Sequence, residues 1–156
     1  MSGILLTCSS RKIHTIDWLK LSLKKIKSKT QLFLGDSNPN VISKNFSKRF
    51  WHMPDLQQSN FNKILKFLIE KKIKIIFHIS DLELTFWARN KNFLKKKKIF
   101  VMISNIKTIK ICLDKYLFYN FLVKNKIATI PTSINIDFIT TQKYVVKNRF
   151  GQGSKN

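Results

Sequence analysis

The sequence predicts an α/β protein whose parallel sheet is covered by helices on both faces. Two observations carry this. Short apolar runs alternate along the chain with segments whose apolar residues recur every three to four positions. One of the runs, residues 73–79, is almost unbroken (Ile73-Lys74-Ile75-Ile76-Phe77-His78-Ile79), as suits a strand buried on two sides.

In order, Ile4-Leu5-Leu6-Thr7-Cys8 is the first expected strand. A helix follows, with Ile16, Leu19, Leu23 and Ile26 on one face. A second strand over residues 31–35 is stopped by Asp36-Ser37-Asn38-Pro39-Asn40, a cluster of turn formers. A short helix over 41–46 and a brief strand over 49–53, ended by Pro54, come next. Phe61, Ile64, Leu65 and Leu68 mark a helix over 60–71 that feeds the strand over 73–79. Asp81-Leu82-Glu83-Leu84 opens another helix, with Asp81 at the end where the helix dipole favours a carboxylate. The strand over 99–103 completes this set.

After Ser104-Asn105 the alternation breaks, and two helices are expected in succession, over 106–113 and 114–125. A domain boundary is therefore expected near residue 113, giving domains 1–113 and 114–156. Pro131 closes the helical region, and two further strands are expected over 133–136 and 143–147.

The net charge of +22 draws attention to anionic partners. Nearly all the positive charge is Lys, however, and Arg occurs only at positions 11, 49, 89 and 149. Lys, Ile, Asn and Phe are the residues that AT-rich codons favour, and the lysines are scattered except for the run Lys95-Lys96-Lys97-Lys98. A solvated basic surface explains the charge, no nucleic-acid-binding signature is visible, and nucleic acid is not the expected partner. Cys8 and Cys112 lack metal-ligand spacing. No apolar run approaches the roughly 18 residues of a membrane span. The N-terminus also lacks the basic flank and cleavage site of a secretory leader, so the sequence reads as cytoplasmic.

Two pieces carry chemistry. In Val145-Val146-Lys147-Asn148-Arg149-Phe150-Gly151-Gln152-Gly153-Ser154-Lys155 an expected strand delivers a lysine into a loop with two glycines, a serine and further cations. Glycine lets backbone N–H groups approach phosphate oxygens, and Lys supplies compact charge; the pattern is not a Walker A loop. The second piece is Asp114-Lys115-Tyr116 at the start of an amphipathic helix, where a cation opposes the helix dipole.

Together, Asp114-Lys115, the helix, Ile130-Pro131-Thr132, Val145-Val146-Lys147 and Gly151-Gln152-Gly153-Ser154 resemble the entry to the ATP-grasp fold. The upstream part is similar to the Rossmann-like pre-ATP-grasp domain of its carbamoyl-phosphate-synthase-like and PylC-like branch. The matching pieces are Thr7-Cys8-Ser9-Ser10-Arg11-Lys12 after the first strand, Asp36-Ser37-Asn38-Pro39 after the second, and Asp81-Leu82-Glu83-Leu84 after the fourth. The chain departs from the branch at Asn148, where Pro is usual, and at Ser10, where Gly is usual. The resemblance implies a carboxylate–amine or carboxylate–thiol ligase acting through an acyl phosphate. It assigns ATP binding to Lys115 and Lys147, with Arg149, Gly151, Gln152, Gly153 and Ser154 in the loop over the phosphates. Arg11 and Asp36 are candidates for the substrate site, although Asp36 also has the ordinary role of a turn-forming residue. The reaction needs Mg²⁺, whose ligands in the family lie downstream of the glycine loop, and this chain has no acidic residue after Asp137. The expectation is a chain inactive by itself, completed by a C-terminal ATP-grasp half or a partner subunit. Two other readings stay open: a Rossmann-like nucleotide- or sugar-binding module without ligase chemistry, and a basic nucleic-acid-binding protein.

Overall fold

A computed structural model describes residues 1–10, 12–139, 141 and 143–151. Five strands, β1 (Gly3–Leu6), β2 (Gln31–Asp36), β3 (Phe50–His52), β4 (Ile73–Phe77) and β5 (Phe100–Val101), form one sheet in the order β3-β2-β1-β4-β5, with every pairing parallel. The helices between them are α1 (Ile13–Lys25), α2 (Phe61–Glu70) and α3 (Leu84–Lys96). This is the expected α/β architecture, and its five-stranded parallel sheet is compatible with a Rossmann-like fold.

Strand alternation explains how both faces are covered, because successive side chains point to opposite sides. Leu5, Phe33, Ile76 and Val101 join Phe61, Ile64 and Leu68 of α2 and Phe86, Trp87 and Leu94 of α3 in one core cluster. Ile4, Leu6, Leu32 and Leu34 pack with Ile16 of α1 in the other. The run in β4 is apolar because Ile75 serves one cluster and Ile76 the other. Gly3 has no side chain for a packing reason: a Cβ there would sit 2.6 Å from Ile73 Cδ1 and 3.0 Å from the Lys71 carbonyl oxygen.

Contacts divide the chain into two units, residues 1–103 and 104–156. The division falls ahead of the expected 113 because α4 (Ile106–Leu113) packs with α5 (Lys115–Lys124). Asn105 caps α4 by accepting the Thr108 N–H at 2.9 Å, and Asp114 caps α5 through the N–H groups of Tyr116 and Leu117. The two strands expected in this unit are absent from the described residues. Residues 136–138 form a 3₁₀ turn capped by Asn135, and 143–148 run without ladder partners. An apolar run alone does not make a strand when nothing pairs with its backbone. No helix among the described residues is long and apolar enough to cross a membrane.

Helix ends show what a glycine-poor sequence must do instead. Lys27, Lys72, Lys98 and Lys126, just past α1, α2, α3 and α5, have φ of 50°, 52°, 58° and 58°, the left-handed conformation that usually selects glycine. Ser28, Ile99 and Ile127 then donate back to the carbonyls of Leu23, Leu94 and Leu122, closing Schellman turns. A side chain in this conformation costs roughly 1–2 kcal/mol, and glycine's extra unfolded-state freedom returns roughly 0.5–1 kcal/mol of any gain. The combined Lys27→Gly, Lys72→Gly and Lys98→Gly variant is therefore expected to be more stable by about 2 kcal/mol in urea unfolding. An unchanged or lower midpoint would contradict this reading of the helix ends.

Candidate functional site

The two sequence pieces that carry lysines are neighbours in the second unit. Lys115, the first residue of α5, donates its backbone N–H to the Arg149 carbonyl at 3.1 Å. Its Nζ donates to the carbonyls of Asn148 at 2.8 Å and Gly151 at 3.1 Å. A cation at a helix N-terminus is disfavoured by the dipole, and these carbonyls supply the compensation.

Arg149 reaches back to Asp114. Its Nε lies 2.8 Å and 2.9 Å from the two carboxylate oxygens and its Nη2 2.6 Å from Oδ2. The guanidinium also lies over the Tyr116 and Phe150 rings, 5.6 Å and 5.4 Å from their centroids. Hydrogen bonding to Arg149 holds the Asp114 carboxyl down at about 2, with the N–H groups of Leu117 and Tyr116 and the charge of Arg149 adding to the effect. The same pairing pushes the Arg149 guanidinium up. Asp114 has little surface left, 3% of its maximum, because its partners sit on it. Little protein surrounds the pair, however, so solvent screens it and its weight in global stability is small.

The sign of its pH dependence is definite. A carboxyl whose folded value lies below its ordinary 3.8 adds stability above pH 4, and that contribution is lost as the pH falls toward 2. NMR titration of the Tyr116 and Leu117 amides should give a midpoint near 2, moved up in Arg149→Gln. A midpoint near 4 in the unaltered chain would mean that the pair does not form.

Lys147 is exposed, as are Val145 and Val146 before it. Gly151 has φ 105°, a conformation that L side chains rarely adopt, and open space where a Cβ would lie. Gln152, Gly153, Ser154 and Arg11 lie outside the described residues. Asp36 is 6% exposed: one oxygen accepts from the Ser10 N–H at 2.9 Å and the other from the Asn38 N–H at 3.0 Å. It ties the loop after β1 to the turn after β2, which is the turn-forming role.

Sequence reasoning passed over a second cluster, at the carboxyl ends of β1 and β4. Glu83 is 3% exposed, and its Oε2 accepts the Trp87 indole N–H at 3.0 Å. Its Oε1 and the His78 Nδ1 are buried and have no hydrogen-bond partner. Burial pushes the Glu83 carboxyl up, against the opposing pull of Thr7, Trp87 and His78. Cys8 turns the β1 loop with φ 51°. Burial first, and then the charge of Glu83, push its thiol up, so it stays protonated and is a poor nucleophile. The spacing of Glu83 and Trp87, one helical turn, was the available signal.

No protein-family model matches the chain, and no curated protein matches it either.

Proposed function

We propose that the chain is the front end of an ATP-grasp ligase, with Lys115 and Lys147 as its ATP-binding lysines. The observation that carries this is the convergence of Lys115 with the backbone of residues 148–151, two segments about thirty residues apart that meet through three hydrogen bonds. The parallel sheet ahead of them is compatible with a pre-ATP-grasp domain. A lysine parked on loop carbonyls can exchange them for phosphate oxygens, and the open, left-handed Gly151 fits a loop that closes over a polyphosphate. ATP would supply the phosphoryl group that activates a small carboxylate as its acyl phosphate, and an amine or thiol would then displace phosphate. Asp114 is committed to Arg149, so no Mg²⁺ ligand is assigned among these residues and no step is derived through the metal.

In this reading a charge-assisted contact contributes about 1.5–3 kcal/mol when its geometry is fixed. Ordering the loop costs on the order of 1–2 kcal/mol per residue. ATP binding by this chain is therefore expected to be no tighter than about 1 mM, or roughly 4 kcal/mol. At fixed ionic strength, Lys147→Ala should weaken it several-fold and Lys98→Ala should leave it unchanged. Equal losses in the two variants would mean that ATP responds to bulk charge, and the assignment of these lysines would fail.

A further inference from the structure

The edge strand β3 leaves aromatic surface open. No strand flanks its far side among the described residues, and α2 lies on the face that Trp51 shares with Leu5 and Phe33. Trp51 stacks face to face on Phe67 of α2, with ring centroids 3.7 Å apart and planes 4° from parallel. Phe67 in turn stands edge-on to Phe33 at 6.0 Å, which fixes the stack against the core. Both Trp51 and Phe67 are only partly buried. With Met53 and Pro54 they line an open groove of about 460 Å³. Its remaining wall is charged, built from Lys63, Lys66 and Glu70 of α2, all three exposed.

We propose that this groove binds a planar aromatic anion, with its ring against Trp51 and Phe67 and its carboxylate or phosphate at Lys63 and Lys66. Flat aromatic side chains favour a planar ring over a saturated one, because stacking adds to the burial of apolar area. Lys63 and Lys66 lie three residues apart and so share one side of α2. Lys66 has Glu70 at 3.9 Å, a loose and exposed pair, and Lys63 has no carboxylate partner among the described residues. Two ammonium groups against one carboxylate leave the charged wall positive, which selects an anion over a cation or a neutral ring. His52 also lines the groove, but its Nε2 is held 2.9 Å from the Ser37 carbonyl. Lysine is a compact point charge and receives carboxylate and phosphate alike. The groove lies wholly in the first unit and does not depend on the ATP-grasp reading.

The test is an amide-detected NMR titration of the full chain with 2-naphthoate and with 2-naphthyl phosphate at fixed ionic strength. Two controls separate the parts of the ligand: 2-naphthalenemethanol keeps the ring without the charge, and decahydro-2-naphthoate keeps the charge without the planar ring. Saturable shifts at residues 51–54 and 63–70 are expected with the planar anions, and the tighter of the two names the anionic group. Exposed charges are screened, so the combined Lys63→Gln and Lys66→Gln variant should weaken binding by about five-fold. Both side chains are exposed, so the fold should survive the change. The combined Lys95→Gln and Lys96→Gln variant, which removes the same charge at the end of α3, should leave binding unchanged. Shifts that do not saturate, equal binding of either control, or equal losses in the two double variants would overturn the proposal.

Discussion

Replacing Ile76 with Asp is expected to leave no cooperatively folded chain at 25 °C. Ile76 is fully buried in β4, between β1 and β5, where it registers with Leu5 and Val101 and joins the core formed with α2 and α3. Removing its side chain alone costs about 2–5 kcal/mol. The aspartate adds an unpaired carboxylate in an apolar layer, a penalty of several kcal/mol even when protonation relieves part of it. Small domains are stable by about 5–15 kcal/mol in total, so the sum reaches or exceeds what is available. Circular dichroism during urea unfolding checks this. A sigmoidal transition within about 1.5 kcal/mol of the unaltered chain would show that β4 is not covered on that face.

Trp87 should give the second largest loss. It is fully buried, lies edge-on to Phe86 with ring centroids 5.0 Å apart, and donates to Glu83 Oε2. Trp87→Ala should cost about 3–5 kcal/mol through the cavity it leaves, and Trp87→Phe isolates the polar part. Phenylalanine keeps most of the bulk but removes the indole N–H that Glu83 Oε2 accepts, and a buried carboxyl that loses a donor costs about 1–3 kcal/mol. Adding Glu83→Leu to Trp87→Phe should recover part of that loss, because two apolar groups leave nothing unpaired. If Trp87→Phe is neutral in urea unfolding, the Glu83–Trp87 bond is not holding the start of α3.

The strands and helices of the first unit were legible because each element there satisfies its local pattern and its burial together. Leu5, Ile75 and Ile76 are apolar for the faces they cover, and Phe61, Ile64 and Leu68 recur at the spacing of the face that α2 buries. The expected strands at 133–136 and 143–147 failed because strand formation depends on a partner that a local pattern does not contain. Their apolar residues Val145 and Val146 stand exposed. The four lysines at left-handed helix ends were invisible for a related reason, since glycine is the signal usually read there and this chain has four glycines in all.

The candidate site divided along the same line. Asp114 and Lys115 were placed by the helix they begin, but their pairing with residues 148–151 was not legible, because it depends on a contact between segments more than thirty residues apart. Glu83 was read only as part of a helix start. Its burial, and the orphaned nitrogen of His78, arise from the packing of two loops that are distant in sequence.

The most direct measurement of the central claim is lysine labelling by an acyl-phosphate derivative of ATP, mapped by mass spectrometry. Such a probe transfers its acyl group to amines that lie against the bound phosphates, so each lysine reports separately. Preferential acylation of Lys115 and Lys147, suppressed by excess ATP and absent from Lys95 to Lys98, is the predicted result. Labelling spread evenly over the lysines, or led by the run at Lys95 to Lys98, would contradict the account and leave a basic α/β protein whose loop at 148–151 does not bind nucleotide.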